Sequence, residues 1–162
     1  MTALHYRQPE ESDHIRVVEA IPVWWEMPPE AAPIGLLPRL FFQHFANTSV
    51  LVEDEGGRLV AFLIGFRSAS RPETAYIHFV GVAPEQQRQG LARDLYGRFF
   101  AMMRGRGCTR VDAITGPINR RSQSFHRALG FAQAGDTEVD GVLAYLDYDG
   151  PGQHRVTFTR AL

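Results

Sequence analysis

The residues best suited to chemistry lie in one run, Val82-Ala83-Pro84-Glu85-Gln86-Gln87-Arg88-Gln89-Gly90-Leu91-Ala92. Pro84 ends a strand, because it has no N–H to give to a ladder. From Leu91 a helix is expected, with Leu91, Leu95, Phe99, Met102 and Met103 at helical spacing and Arg93, Arg98 and Arg104 largely elsewhere. A turn at a helix N-terminus offers free N–H groups and the positive end of the dipole, and both favour a phosphate or pyrophosphate. Gly90 lets the main chain come close to such a ligand, and the small Ala92 leaves room beside it. Spacing alone leaves an ordinary strand–loop–helix unit with a flexible glycine equally open. Other chemistry is excluded more firmly. All 17 basic side chains are arginine, so no lysine can act as nucleophile or Schiff base. No set of His, Cys, Asp and Glu shows metal-ligand spacing, so no metal is expected. Ser122 and Ser124 lack a nucleophile-elbow context, and Cys108 reads as inert packing at the start of a buried strand.

The elements that must hold this run can be read in order. Ala3–Arg7 is a first strand. Pro9–Asp13 starts a helix with acids near its positive end, its buried stripe expected at Ile15, Val18 and Ile21 and its end at Pro22. The segment from Pro22 to Pro33 holds four prolines with Trp24 and Trp25, too broken for a regular element. A second helix begins near Ile34 or Pro38 and carries Leu37, Leu40, Phe41, His44 and Phe45. Ser49–Glu53 and Leu59–Phe66 are strands joined by the hairpin signal Asp54-Glu55-Gly56-Gly57. In the next strand Ala75, Ile77 and Phe79 alternate, then the apolar positions change phase to Val80 and Val82, which predicts a β-bulge. After the long helix come a strand at Thr109–Thr115 and a short helix at Asn119–Leu129 capped by Asn119 or Ser122. Strand regions follow from Phe131 and at Val142–Leu146, then a turn at Asp147–Gly152 and a last strand with Val156 and Phe158. The order β–α–α–β–β–β–α–β–α–β–β predicts an α/β fold on a mixed sheet.

A chain of 162 residues suits a single domain, 1–162. The formal net charge of −1 carries no nucleic-acid footprint. One cysteine rules out an internal disulfide and fits a reduced compartment, the N-terminus lacks a signal sequence, and no apolar run is long enough to span a bilayer. A cytoplasmic protein without a membrane partner is expected.

Two blocks of residues carry a family resemblance. Val82 and Pro84, followed by Gln87-x-x-Gly90-x-Ala92, resemble the acyl-CoA-binding motif of the GNAT superfamily of N-acetyltransferases. Asn119, Ser122, and Gly130-Phe131 after His126 resemble that family's second block, with His126 where a tyrosine is usual. The element order is similar across the whole chain. The resemblance implies the GNAT fold, a mixed and mostly antiparallel central sheet splayed between strands four and five and flanked by helices. It implies acetyl-CoA as co-substrate, lying where those strands part. Val80, Gly81 and Val82 would run beside its pantetheine arm, Gln87, Arg88, Gln89, Gly90, Leu91 and Ala92 would hold its pyrophosphate, and Asn119 and His126 would meet it from the far side. Arg88 reads equally as a solvated loop arginine.

The implied reaction is attack of a neutral primary amine on the thioester carbonyl, through a tetrahedral oxyanion, with loss of the CoA thiolate. Orienting the reactants is worth about 7–11 kcal/mol of barrier. The Val80 amide is the expected oxyanion donor. His126 is a candidate acid for the thiolate, provided burial does not lower its pKa, and a packing residue otherwise. His78, four residues before Val82, is a candidate base, and otherwise a strand histidine bound to the backbone. Glu73, Tyr76 and ordered water are weaker substitutes. His5, His14 and His154 read as solvated. The acceptor side of such a site would involve Trp24, Trp25, Glu26, Leu36, Phe41, Phe42, His44 and Tyr148–Gly152, with the two tryptophans read first as anchors of the proline-rich segment. A small-molecule amine is the first expectation for the acceptor, a peptide or protein amine the second, and a homodimer is compatible with the reading. A non-catalytic acyl-CoA-binding module, an enzyme using a longer acyl-CoA and an unrelated nucleotide-binding protein are the alternatives.

Overall fold

Strands built from β-branched and apolar residues on both faces need cover on both sides. The Leu59–Ile64 run is such a strand, with every residue at or below 8% exposure. The computed structural model describes residues 3–162 and resolves into two units: residues up to Phe66 together with Ile77–Met103, and Arg67–Tyr76 together with Arg104–Leu162.

The first unit contains β1 (His5–Arg7), α1 (Asp13–Trp24), α2 (Leu40–His44), β2 (Val50–Glu53), β3 (Leu59–Arg67), the greater part of β4 (Thr74–Val82) and α3 (Leu91–Gly105). β1, β2 and β3 pair antiparallel, with Arg7 opposite Leu51 and Leu51 opposite Phe62. The hairpin after β2 closes as its residues predict, with Asp54 Oδ1 accepting the Gly56 and Arg58 amides at 3.0 and 2.9 Å. The core joins Val17 and Ile21 of α1 to Leu37, Phe42, Leu51, Phe62, Ile64 and Phe79. α3 buries Leu91, Leu95, Phe99 and Met103, close to the stripe expected for it, with Tyr96 and Phe100 in addition.

Three expectations are corrected here. The buried stripe of α1 is Asp13, Val17 and Ile21, while Ile15 is 54% exposed. A charged residue opens the stripe because Asp13 accepts from Arg7 at 2.7 and 2.9 Å and from Arg16 at 3.0 Å, while Glu53 accepts from the same two arginines. Those hydrogen bonds, Arg7 first, hold the Glu53 carboxyl at about 2. Burial pushes Asp13 up, but the bonds from Arg7, the Glu10 amide and Arg16 outweigh it and its pKa is lowered. Second, α1 continues through Pro22 to Trp24. The Trp25 amide still reaches Ile21 O at 3.0 Å, and Trp24 and Trp25 anchor the segment by stacking on Phe62 and Phe79. Third, the predicted helix near Ile34 is split. A 3-10 turn spans Ile34–Leu36, and α2 starts only at Leu40. Pro38 drives the preceding Leu37 out of helical geometry, to φ −121° and ψ 65°.

The second unit holds the start of β4, β5 (Arg110–Thr115), α4 (Arg120–Ala128), β6 (Ala132–Ala134), β7 (Thr137–Val139), β8 (Val142–Ala144) and β9 (Val156–Ala161). Thr74–Tyr76 pairs parallel with Arg110–Asp112, after which β4 continues into the first unit. β9 pairs antiparallel with both β5 and β6. The strand order is β1-β2-β3-β4-β5-β9-β6, a seven-stranded, mostly antiparallel sheet. β7 and β8 pair in a separate two-stranded sheet, their turn made by Asp140 and Gly141 with φ of 50° and 76°. That dipeptide is a strong hairpin signal, yet sequence reading saw only the second strand.

Candidate functional site

β4 aims the first set of residues. Ile77, Phe79 and Gly81 are buried, and His78, Val80 and Val82 are half-buried on the other face. Burial alternates unbroken through Val82, while the ladder bonds Ser68 N–Thr74 O and Ala83 N–Val60 O, both 2.8 Å, span nine steps of β4 against eight of β3, the one extra residue that a β-bulge inserts. Position 81 faces the core without a side chain, because a Cβ there would lie 2.5 Å from Phe62 Cε1 and 3.0 Å from Trp24. The apolar pattern vanishes at the inward position and survives at Val80 and Val82.

Past the strand, the Ala83 amide bonds Val60 O at 2.8 Å and Pro84–Gln86 makes one 3-10 turn. Two side-chain amides brace the loop from within: Gln87 donates to Val82 O and Gln89 to Glu85 O, each at 3.0 Å. Arg88 and Gly90 both adopt left-handed backbone, with φ of 61° and 83°. For Gly90 this is the residue's own preference, whereas Arg88 holds it at a cost of roughly 1–2 kcal/mol. The helical ladder begins when the Asp94 amide reaches Gly90 O at 2.9 Å. The amides of Leu91, Ala92 and Arg93 therefore have no acceptor within α3. A Cβ added at Gly90 would meet no atom within 4 Å, so the main chain there is open to a ligand. Asp94, the acid of the first turn, does not oppose an anion directly, being bonded by Arg98 Nε at 2.8 Å. Main-chain donors without a helical acceptor at the positive end of a 15-residue helix suit a pyrophosphate.

α4 links the second set along its own first turns. Asn119 caps the helix by accepting the Ser122 amide at 3.1 Å. His126, 5% exposed, points Nδ1 at Ser122 O at 2.8 Å and at Ser122 Oγ at 3.2 Å. A carbonyl only accepts, so Nδ1 carries the proton in the neutral ring. The imidazole stacks on Phe158 with centroids 4.4 Å apart. Burial lowers its pKa below the ordinary histidine value, and the Ser122 carbonyl offsets this only in part. Proton donation to a leaving thiolate would then require a minority form of the ring. Gln123, 1% exposed, was not singled out from the sequence. Its amide donates to Pro117 O at 2.8 Å and fixes the turn after β5.

His78 holds a main-chain partner too. Its Nε2 lies 2.5 Å from Leu36 O, and Phe41 stacks on the ring at 4.4 Å. The remaining residues expected on the acceptor side divide. Phe42 is 2% exposed and belongs to the core rather than to any surface. Trp24 and Trp25 are the anchors already described. Asp149 accepts from Arg155 at 2.8 Å, and Gly152 gives its amide to Asp147, at the start of the same turn, at 2.7 Å. Two histidines read as solvated have definite roles. His14 Nε2 reaches Leu37 O at 2.9 Å, and His154 Nδ1 accepts the Asp147 amide at 2.9 Å. Among the described residues no group of three or more His, Cys, Asp or Glu could hold a metal ion. No helix among them is long and apolar enough to cross a membrane.

Known proteins resemble this chain in sequence and in fold. A model of the Acetyltransferase (GNAT) family matches residues 17–131, and the chain belongs to that family. An L-2,4-diaminobutyric acid acetyltransferase of Virgibacillus pantothenticus is 32% identical over 112 residues, 69% of this chain and 69% of the relative. A protein of the same name from Shouchella clausii (strain KSM-K16) is 28% identical over 102 residues, 63% of this chain and 57% of the relative. The match thus spans little more than half of that second relative's length. Among solved structures, diaminobutyrate acetyltransferase from Paenibacillus lautus, in complex with L-2,4-diaminobutyric acid and coenzyme A, shares the fold. Its TM-score is 0.68 at 23% identity, over 98% of this chain and 95% of that one.

Proposed function

We propose that the protein transfers an acetyl group from acetyl-CoA to a primary amine of a small diamino acid of the L-2,4-diaminobutyrate type. The observation that carries the acetyl transfer is the loop at the start of α3, with its left-handed Gly90 and the first-turn amides of Leu91 and Ala92. The acceptor class rests on the shared name of the relatives.

In this reading the amides from Gln87 to Ala92 hold the pyrophosphate, with Gln87 and Gln89 bracing the loop. Val80, Gly81 and Val82 present main chain to the pantetheine arm, and Gly81 keeps its packing side free of any Cβ. The amine attacks the thioester carbonyl, and the oxyanion takes a hydrogen bond from the Val80 amide. The thiolate then leaves and the amine proton passes to water. Asn119 sets the start of α4 and so the place of His126. His126 serves as a neutral ring in this reading, since burial disfavours its charged form.

The test is thiol release from acetyl-CoA with L-2,4-diaminobutyrate, other diamino acids, polyamines, monoamines and peptides, with the product identified by mass spectrometry and NMR. L-2,4-diaminobutyrate is expected to give the highest kcat/KM and a mono-N-acetylated product. Preference for a peptide amine or for propionyl- or succinyl-CoA would replace the acceptor or donor assigned here. Binding of acetyl-CoA without thiol release for any amine would make the protein a non-catalytic binder.

A further inference from the structure

Leu36 and Leu37 are consecutive, and each carbonyl accepts from a histidine of a different element. His78 on β4 reaches Leu36 O at 2.5 Å and His14 on α1 reaches Leu37 O at 2.9 Å. Both rings therefore carry a proton on Nε2. Each also packs on the helix that follows, His78 stacked on Phe41 at 4.4 Å and His14 edge-on to Phe42 at 5.3 Å. The held segment lacks regular structure between its 3-10 turn and α2, so these donors and the buried Leu37 fix its path. It nevertheless leaves Ile34, Leu36 and Leu40 at 38%, 46% and 43% exposure. His78 lies on the same face of β4 as Val80, two residues away, a separation of about 6.6 Å along a strand. What His78 holds is thus within one strand repeat of the main chain assigned to the thioester.

We infer that His14 and His78 are positioning residues, a pair of clamps that set the segment Ile34–Phe41 as the wall receiving the carbon chain of the acceptor amine. His78 is then tied to the backbone and does not take the amine proton. This inference rests on the acetyl-transfer reading above.

Four variants test it, H14L, H78L, H14Q and H78Q, because a glutamine amide can place an N–H where the imidazole Nε2–H stood. Losing one hydrogen bond of this kind corresponds to about tenfold in an equilibrium constant. H14L and H78L should raise KM for the amine about tenfold, leave KM for acetyl-CoA near the wild-type value, and be largely rescued by glutamine. Hydrogen exchange at the amides of residues 36–42 should quicken in both leucine variants and slow again in the glutamine variants. The kcat/KM–pH profile of H78Q should follow the wild type. H78Q as slow as H78L, with the acidic limb of the profile lost, would make His78 the base and overturn the inference. So would equal increases in both KM values, which describe a merely structural role. A wild-type protein that turns over no amine refutes the acetyl-transfer reading instead, and the exchange measurement then decides the clamp alone: unaltered exchange in the leucine variants removes it.

Discussion

The loop Gln87–Ala92 and the helix Arg120–Ala128 carry the two halves of the family pattern, and they are built in opposite ways. The loop is exposed from Arg88 to Gly90, turns through left-handed backbone at Arg88 and Gly90, and is braced by its own glutamines. The helix turns its ring nitrogen and its amide inward, onto Ser122 and Pro117, with His126 and Gln123 almost wholly buried. A site made of backbone is encoded by the residue types that permit its conformation. A site made of side chains depends on which neighbour claims each polar atom, and that neighbour is set by packing.

The sharpest way to break this contrast is Gly90→Asp. The variant forces a Cβ into φ 83°, at roughly 1–2 kcal/mol, and sets an anion at the positive end of α3. Acetyl-CoA affinity should fall by about 100-fold in calorimetric titration, close to 3 kcal/mol. Gly90→Ala carries the strain without the charge and should lose only part of that affinity. Undiminished binding by Gly90→Asp would move the phosphate site elsewhere.

Gly81→Ala probes the packing behind the loop. Its Cβ would sit 2.5 Å from a Phe62 ring that is 0% exposed, so urea denaturation should show a loss of about 1–3 kcal/mol. An unchanged midpoint would mean that Phe62 and Trp24 can yield, and that the glycine serves something other than their approach.

The buried titratable groups predict how stability follows pH. His126 has a lowered folded pKa, so its contribution is present above its ordinary value of 6.5 and is lost as pH falls below it. Glu53, ordinarily 4.5 and held at about 2, adds a second loss as pH falls from 4.5 toward 2. The lowered Asp13 acts with the same sign. Urea midpoints between pH 8 and pH 3 should fall in two steps, and His126→Phe should remove the upper one. A single lower step in the wild type would show that His126 titrates normally and restore its candidacy as an acid. The smallest effect is expected for Arg88→Gly, which should stabilise the fold by about 1 kcal/mol by relieving the left-handed backbone at φ 61°.

Much of this was legible in the residues. The two motif blocks, the α3 stripe and the order of strands and helices follow from apolar spacing and from Gly and Pro punctuation. The misreadings share one physical origin. Asp13 hid the phase of α1 because its charge is neutralised by Arg7 and Arg16, partners that spacing does not reveal. Gly81 left a gap in the apolar pattern because its core position is filled by Phe62 and Trp24 from elsewhere. His14 looked solvated because the carbonyl it holds lies 23 residues away in the chain, and the carbonyl at His78, 42 residues away, is equally invisible to local spacing. Asp140-Gly141 is the exception, a local signal that was present and passed over.

The most direct test of the central claim combines binding and turnover in one preparation. Acetyl-CoA, ATP and NAD are titrated separately into the protein, and thiol release is followed after adding L-2,4-diaminobutyrate. Selective binding of acetyl-CoA, followed by amine-dependent thiol release that Gly90→Asp abolishes, is the predicted result. Preference for ATP or NAD, or thiol release indifferent to Gly90→Asp, would contradict it.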